Sequence, residues 1–181
     1  MSKRKQNKQA LRDFQNRLAE RLQAANAAEA TASWLAVEAG ALQLLLPLTH
    51  AGEIFSWTDV QKVPYVQPWF LGVSNLRGGL YGLIDLALFM GNSQSKPRTE
   101  IELSHCRLVT FNPVLETNGA LLVDRLIGLR TSEDFSSSDE ILKTDALFYF
   151  STIYTDFNGQ QWQEVNLQLL SQHQQFLGIG A

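Results

Sequence analysis

Turn residues punctuate this chain every 8 to 12 positions, and the apolar runs between them are only four to eight residues long. Runs that short are too brief for helices and have the length of strands. Residues 34–39 and 42–48 flank Gly40 and Ala41, which predicts a hairpin. Gly52 breaks the pattern, and residues 54–57 resume it. Residues 62–68 contain Pro64 and Pro68, so they read as an extended connector. The runs 70–76 and 80–84 flank Arg77-Gly78-Gly79, where a tight reversal with positive φ calls for glycine. Asp85 is placed to cap a short helix over 86–90, ended by Gly91, and residues 92–100 form a polar loop. A strand over 105–111, a turn at Asn118-Gly119 and a returning strand over 120–129 follow. Residues 131–140 hold four serines and four acids and read as a solvated loop. The last hairpin spans 147–154 and 162–165 around Asn158-Gly159, and Asn166 is the predicted N-cap of a final helix through about Phe176. The chain is therefore mainly β. Nine or ten such strands predict antiparallel barrels or sandwiches, because a parallel sheet needs a helix between strands.

A chain of 181 residues suits one such domain and buries about 70% of its extended surface. Its single cysteine, Cys106, excludes an internal disulfide framework and multi-cysteine metal sites, and fits a reducing compartment. No apolar run reaches 18 residues, and the basic N-terminus lacks the contiguous apolar stretch of a signal peptide, so the expected location is the cytoplasm. Charge is uneven. Residues 1–22 hold seven of the fifteen Lys and Arg but two of the eighteen Asp and Glu, leaving +5 there and −8 elsewhere. Within 10–30, Leu11, Phe14, Leu18, Leu22 and Ala25 recur at helical spacing, so residues 1–30 are expected to be a basic tail and amphipathic helix preceding a domain over 31–181. The tail reads as a solvated segment, with an anionic membrane or nucleic acid as competing partners. The acidic body and the lack of interleaved aromatics argue against nucleic acid.

Little catalytic chemistry can be assembled from these residues. His50, His105 and His173 are far apart in sequence and sit in no nucleophile or metal motif. Cys106 falls in an apolar stretch, as a small buried hydrophobe would. Ser74 lacks the second glycine of a nucleophile elbow, and Gly78-Gly79 is too short for a phosphate loop and has no following lysine. No catalytic residue, cofactor site or metal site is predicted. Arg77 stands out as a lone cation at the head of a glycine turn, a residue type enriched in binding hot spots. Glu53 is the nearest upstream acid able to orient it through a charge-assisted pair.

At these residues the sequence resembles the CheW family of chemotaxis coupling proteins, and within it the twitching-motility members. Val63-Pro64, Pro68, the block Phe70-Leu71-Gly72-Val73-Ser74-Asn75-Leu76-Arg77-Gly78, and Ile84-Asp85-Leu86 carry the likeness. Leu122-Val123-Asp124-Arg125-Leu126 and residues 162–170 match more weakly, for coverage of roughly 34–172. The resemblance implies two intertwined five-stranded SH3-like β-barrels, flanked here by an N-terminal and a C-terminal helix. It implies no catalysis. It implies an adaptor between the cytoplasmic hairpin tip of a methyl-accepting chemoreceptor and the regulatory domain of a CheA-like histidine kinase, recruited to receptor arrays at the inner membrane. Contact with the membrane is then only indirect, through the receptor, and the output is type IV pilus twitching, with flagellar chemotaxis as the alternative. Carried over residue by residue, Glu53 and Arg77 are a polar pair at the contact region, and Ile54, Asn75, Leu76 and Gly78 shape the same surface. Val123 and Asp124 lie on a strand that supports the receptor-facing groove. The family's first hairpin carries a glycine, glutamate, tyrosine and glycine pattern of which residues 40–45 keep only the turn. Alternatives from other classes are a nucleic-acid-binding β-barrel protein using the basic arm and a hydrolase with a dispersed Ser, His and Asp set.

Overall fold

Both faces of most strands are apolar in the central part of the chain, and the fold uses both. The computed structural model describes residues 33–91, 98–140 and 149–181. The predicted N-terminal helix and the tail over 1–30 lie outside the described residues. Eleven strands are described: β1 (Trp34–Ala39), β2 (Leu42–Pro47), β3 (Ala51–Ser56), β4 (Phe70–Leu76), β5 (Gly79–Asp85), β6 (Arg107–Phe111), β7 (Gly119–Val123), β8 (Arg125–Arg130), β9 (Phe135–Glu140), β10 (Phe150–Asp156) and β11 (Gln161–Val165). Four short helices accompany them: α1 (Leu86–Phe89), α2 (Glu100–His105), α3 (Leu167–Gln172) and α4 (Gln174–Leu177).

The strands form a six-stranded sheet in the order β8-β1-β2-β11-β10-β9 and a five-stranded sheet in the order β3-β6-β7-β5-β4. The chain starts in the first sheet, spends β3 to β7 in the second, and returns at β8. Two features correct the expectation from sequence. Both sheets are mixed, since β2 pairs parallel with β11 and β5 parallel with β7. Turn signals report only hairpins, whereas these pairings join residues whose connection runs through the other elements. The expected pair of five-stranded barrels is also not what the pairing gives: one sheet has six strands, and among the described residues no ladder joins β8 to β9 or β3 to β4.

The alternation of side chains divides the core into three. Leu35, Val37 and Ala39 of β1 point to a cluster shared between the sheets, where Val109, Phe111, Leu121 and Val123 meet them from the second sheet. Trp34 and Ala36 point the other way, into an aromatic cluster of the six-stranded sheet. Leu108, Ala120 and Leu122 likewise turn from the shared cluster into a core of the five-stranded sheet. In the six-stranded sheet the outer strands β8 and β9 both contribute to one aromatic cluster, through Ile127 and Phe135, and Trp34 lies 4.9 Å from Tyr154 and 6.0 Å from Phe135 between ring centroids. The sheet is therefore strongly curled. Phe176 on α4 closes the shared cluster against Trp69, Phe89 and Phe111.

Local chemistry explains most element boundaries. Asp85 caps α1 by accepting the Leu88 N–H at 3.1 Å, and Asn166 caps α3 by accepting the Leu169 N–H at 2.9 Å. The single C-terminal helix expected from sequence is broken at His173, which caps α4. Helix α2 fills the stretch 101–104, to which the sequence assigned no element, and takes in the last residue of the expected loop and the first of the expected strand. Its start is a capping box, in which Glu102 accepts the Thr99 N–H at 2.7 Å and Thr99 accepts the Glu102 N–H at 3.3 Å. The Thr99 N–H and hydroxyl hold the Glu102 carboxyl below the usual range. Cys106 is consequently the C-cap of α2 rather than a strand residue, and it is buried. Asn118-Gly119 is not a hairpin turn either. A 3-10 turn at Pro113–Leu115 joins β6 to β7, and Gly119 is needed because a Cβ there would lie 2.9 Å from the Phe111 ring. The predicted strand 120–129 divides at Asp124, and the polar stretch after residue 131 contains the exposed outer strand β9.

Two measurements test this account of the backbone. Gly72 has φ +133, and a Cβ on it would stand 2.3 Å from the Gln61 carbonyl oxygen, whereas Gly159 has φ +79 with open space around it. In urea titrations Gly159→Ala should cost about 1–2 kcal/mol from left-handed backbone alone, and Gly72→Ala distinctly more. Equal losses would mean that the connector does not press on β4. In the β10–β11 turn, burial pushes the Asp156 carboxyl up, but the Gln160 N–H, the Trp162 indole and the Asn158 N–H together hold it below its ordinary value. A lowered folded pKa contributes stability above the unfolded value, near 3.8, and that contribution disappears as pH falls through the folded value. Thermal melts should therefore show wild type above Asp156→Asn at neutral pH and the gap shrinking below about pH 4.

Candidate partner-binding surfaces

The β4–β5 connection shows how the sequence builds an exposed charged pair. Leu76 pairs with Gly79, leaving Arg77 and Gly78 as a two-residue loop with φ of 48° and 88°. Positive φ at both positions is the geometry that matches strand twist in tight hairpins. Glycine was expected to carry this conformation, yet Arg77 shares it. Asn75 Oδ1 accepts the Gly78 N–H at 2.8 Å and fixes the loop. Because the five-stranded sheet curls, this loop reaches its opposite outer strand, β3. Arg77 Nη1 donates to Glu53 Oε2, and the guanidinium lies 5.5 Å from the Phe55 ring centroid. The two side chains are 75% and 58% exposed. The Glu53 backbone is anchored from below, its N–H donating to Thr110 Oγ1 at 2.8 Å. Beside the pair is an open hollow of about 600 Å³ whose lining includes Phe55, Leu76, Tyr81, Phe111 and Pro113. Exposed Ile54 follows Glu53 in β3, and exposed Leu80 pairs with Asn75 in β5. Leu76 itself is buried, so it supports this surface from beneath.

The second pair of sequence-predicted residues lies elsewhere. Strands β5 and β7 run parallel, so the Arg77 loop before β5 and Asp124 after β7 are at opposite ends of that ladder, about 26 Å apart along the strands at about 3.3 Å per residue. Val123 is fully buried in the shared cluster and touches no solvent. Asp124 is the one residue between β7 and β8, which belong to different sheets. Its N–H donates to the Glu38 carbonyl at 2.8 Å, and its carboxylate accepts the Gly40 N–H at 2.6 Å.

Arg98 completes this junction and was not singled out from sequence. It donates to Asp124 Oδ1 from Nε at 2.9 Å and from Nη2 at 2.8 Å, and to Asp85 Oδ2 from Nη1. The side chains of Arg98 and Asp85 are 13% and 2% exposed. Burial alone would lower the Arg98 pKa, but its hydrogen bonds and charge contacts with Asp85 and Asp124 raise it above the ordinary value. Nothing local announces this residue, since its partners are 13 and 26 positions away. Cys106 Sγ sits 4.0 Å from Asp124 Oδ1, and burial raises its thiol pKa, which keeps it a thiol. The nucleophile candidates are committed to structure. The Ser74 hydroxyl donates to the Asp59 carbonyl at 2.8 Å. The three histidines sit in separate elements, at the β2–β3 turn, the end of α2 and the start of α4. Among the described residues no helix is long and apolar enough to cross a membrane.

Comparison with known proteins places this arrangement. The CheW-like domain model matches residues 33–175, nearly the whole described body. The chain belongs to the CheW family. This is a family of coupling scaffolds in chemosensory signalling, not of enzymes. Protein PilI of Pseudomonas aeruginosa is 27% identical over 154 residues, covering 83% of each chain. The scaffolding protein TtCheW from Thermoanaerobacter tengcongensis shares the fold at a TM-score of 0.58 and 15% identity, covering 75% of this chain and 88% of that one.

Burial separates the two ionic sites in this CheW-family chain. An exposed pair contributes at most about 1 kcal/mol, whereas stranding a buried charge costs about 3–5 kcal/mol. Arg77→Ala should leave the urea midpoint nearly unchanged, and Arg98→Met should lower it strongly. The reverse order would mean that the Arg98 carboxylates are solvated.

Proposed function

We propose that this protein is a non-catalytic adaptor that couples the cytoplasmic hairpin tip of a chemoreceptor to the regulatory domain of a CheA-like histidine kinase, in a pathway controlling type IV pili. Membership of the CheW family supports the coupling role, and the likeness to PilI supports the pilus output. The observation that carries the reading is the Arg77–Glu53 pair. It is exposed, held by a strained two-residue loop, set 5.5 Å from the Phe55 ring, and too solvated to matter for stability. A fixed guanidinium beside apolar side chains is the composition of an interface centre. In this reading Glu53, Ile54, Asn75, Arg77 and Gly78 face the kinase, with Leu76 beneath them. Val123 and Asp124 support a receptor-facing groove at the other end of the sheet, and the receptor's helical tip docks there by apolar contact. The protein works in the cytoplasm and reaches the inner membrane only through the receptor array. Two modest interfaces on one body reinforce each other in an array by raising effective concentration.

Tagged protein purified from its native cells should bring down a chemoreceptor and a large histidine kinase. Arg77→Glu should reduce kinase recovery about tenfold or more, because it removes the donor and sets like charge against Glu53, while the thermal midpoint stays close to wild type. Undiminished kinase recovery would remove Arg77 from the interface, and recovery of nucleic acid in place of both proteins would remove the adaptor reading.

A further inference from the structure

The largely buried guanidinium of Arg98, 13% exposed, touches parts of the chain that belong to both sheets. Asp85 ends β5 in the five-stranded sheet and caps α1, whose Leu86, Ala87 and Phe89 enter the shared cluster. Asp124 is the crossover, and its other oxygen holds the Gly40 N–H in the β1–β2 turn of the six-stranded sheet. Hydrogen bonds therefore run from Asp85 through Arg98 and Asp124 to Gly40, from one sheet to the other. The apolar cluster between the sheets holds them together but is non-directional, so packed layers are free to shear by small amounts. Hydrogen bonds from a planar guanidinium are directional. The charge count sharpens the point, since one cation faces two carboxylates that repel each other without it.

We propose that Arg98 is a positioning residue that sets the pose of one sheet against the other. It thereby fixes the spacing between the surface around Arg77 and the surface around the β7–β8 crossover. For an adaptor this spacing decides whether two partners are engaged at once, and that consequence, though not the pose itself, rests on the function proposed above.

The test is a distance distribution between two spin labels, by pulsed electron spin resonance. Leu80→Cys reports on the five-stranded sheet and Phe157→Cys on the β10–β11 turn of the six-stranded sheet, at sites 62% and 74% exposed, with Cys106→Ala removing the native thiol. Arg98→Met is compared with a charge-free variant carrying Arg98→Met, Asp85→Asn and Asp124→Asn, which relieves the repulsion between the acids and keeps the experiment decisive should Arg98→Met fold poorly. The expected result is a distribution at least twice as wide as wild type in the charge-free variant, and in Arg98→Met wherever it folds. A wild-type width in the charge-free variant would overturn the proposal, because apolar packing alone would then set the pose. No partner is needed for this measurement, so the two readings fail separately: absence of receptor and kinase from the wild-type purification removes the adaptor, and an unchanged width removes the positioning role.

Discussion

One residue, Asp124, carries the chain from one sheet to the other, and much of the architecture follows from that economy. A crossover with no loop brings its polar groups against the chain itself, and protein groups satisfy them although the Asp124 side chain keeps 31% of its exposure. The Asp124 N–H goes to the Glu38 carbonyl, its carboxylate to the Gly40 N–H and to Arg98, and Arg98 in turn to buried Asp85. Strands on either side inherit the same constraint. With β7 and β8 joined by one residue and belonging to different sheets, the sheets meet face to face, and Leu121 and Val123 share a core with Leu35 and Val37. The parallel pairing of β2 with β11 then closes the six-stranded sheet around the excursion through β3 to β7.

The two ionic sites show how burial sorts similar chemistry into different roles. Around Arg98 the charges are withdrawn from water, so their geometry is rigid and their loss is expensive. Around Arg77 the same kind of pair stands in solvent, where screening leaves it little structural value. A charged group that the fold does not need, fixed by a two-residue loop whose φ values are both positive, is available to a partner. Phe55 against the guanidinium adds apolar area. Several polar groups inside the body hold strands and caps, as with the Ser74 hydroxyl on Asp59. Such a body is suited to presenting surfaces.

Where sequence was readable, the signals were local. Gly40, Arg77-Gly78 and Asn158-Gly159 mark real hairpins, and Asp85 and Asn166 mark real caps, because each acts within three or four residues. The failures also have local causes. Thr99 and Glu102 form a capping box that was legible at the end of the expected loop, but the helix it starts is only six residues long and buries none of them. Strand β9 has the composition of a loop because all but Phe135 face solvent. Asn118-Gly119 has the composition of a turn, yet Gly119 is there for close approach to Phe111. Arg98 had no signal at all.

The amino-acid sequence alone determined the β class, most hairpins, the family likeness, and Arg77 as a cation at the head of a tight turn, since turn chemistry and alternation are encoded in neighbours. Only the tertiary structure decided that a loop between β4 and β5 meets β3, that Leu76 and Val123 lie beneath surfaces rather than on them, and that Arg98 joins two distant acids. Those outcomes depend on the curl of each sheet and on parallel pairings between remote strands. Neither is specified by any short window, because each arises from the simultaneous burial of both faces of the same strands.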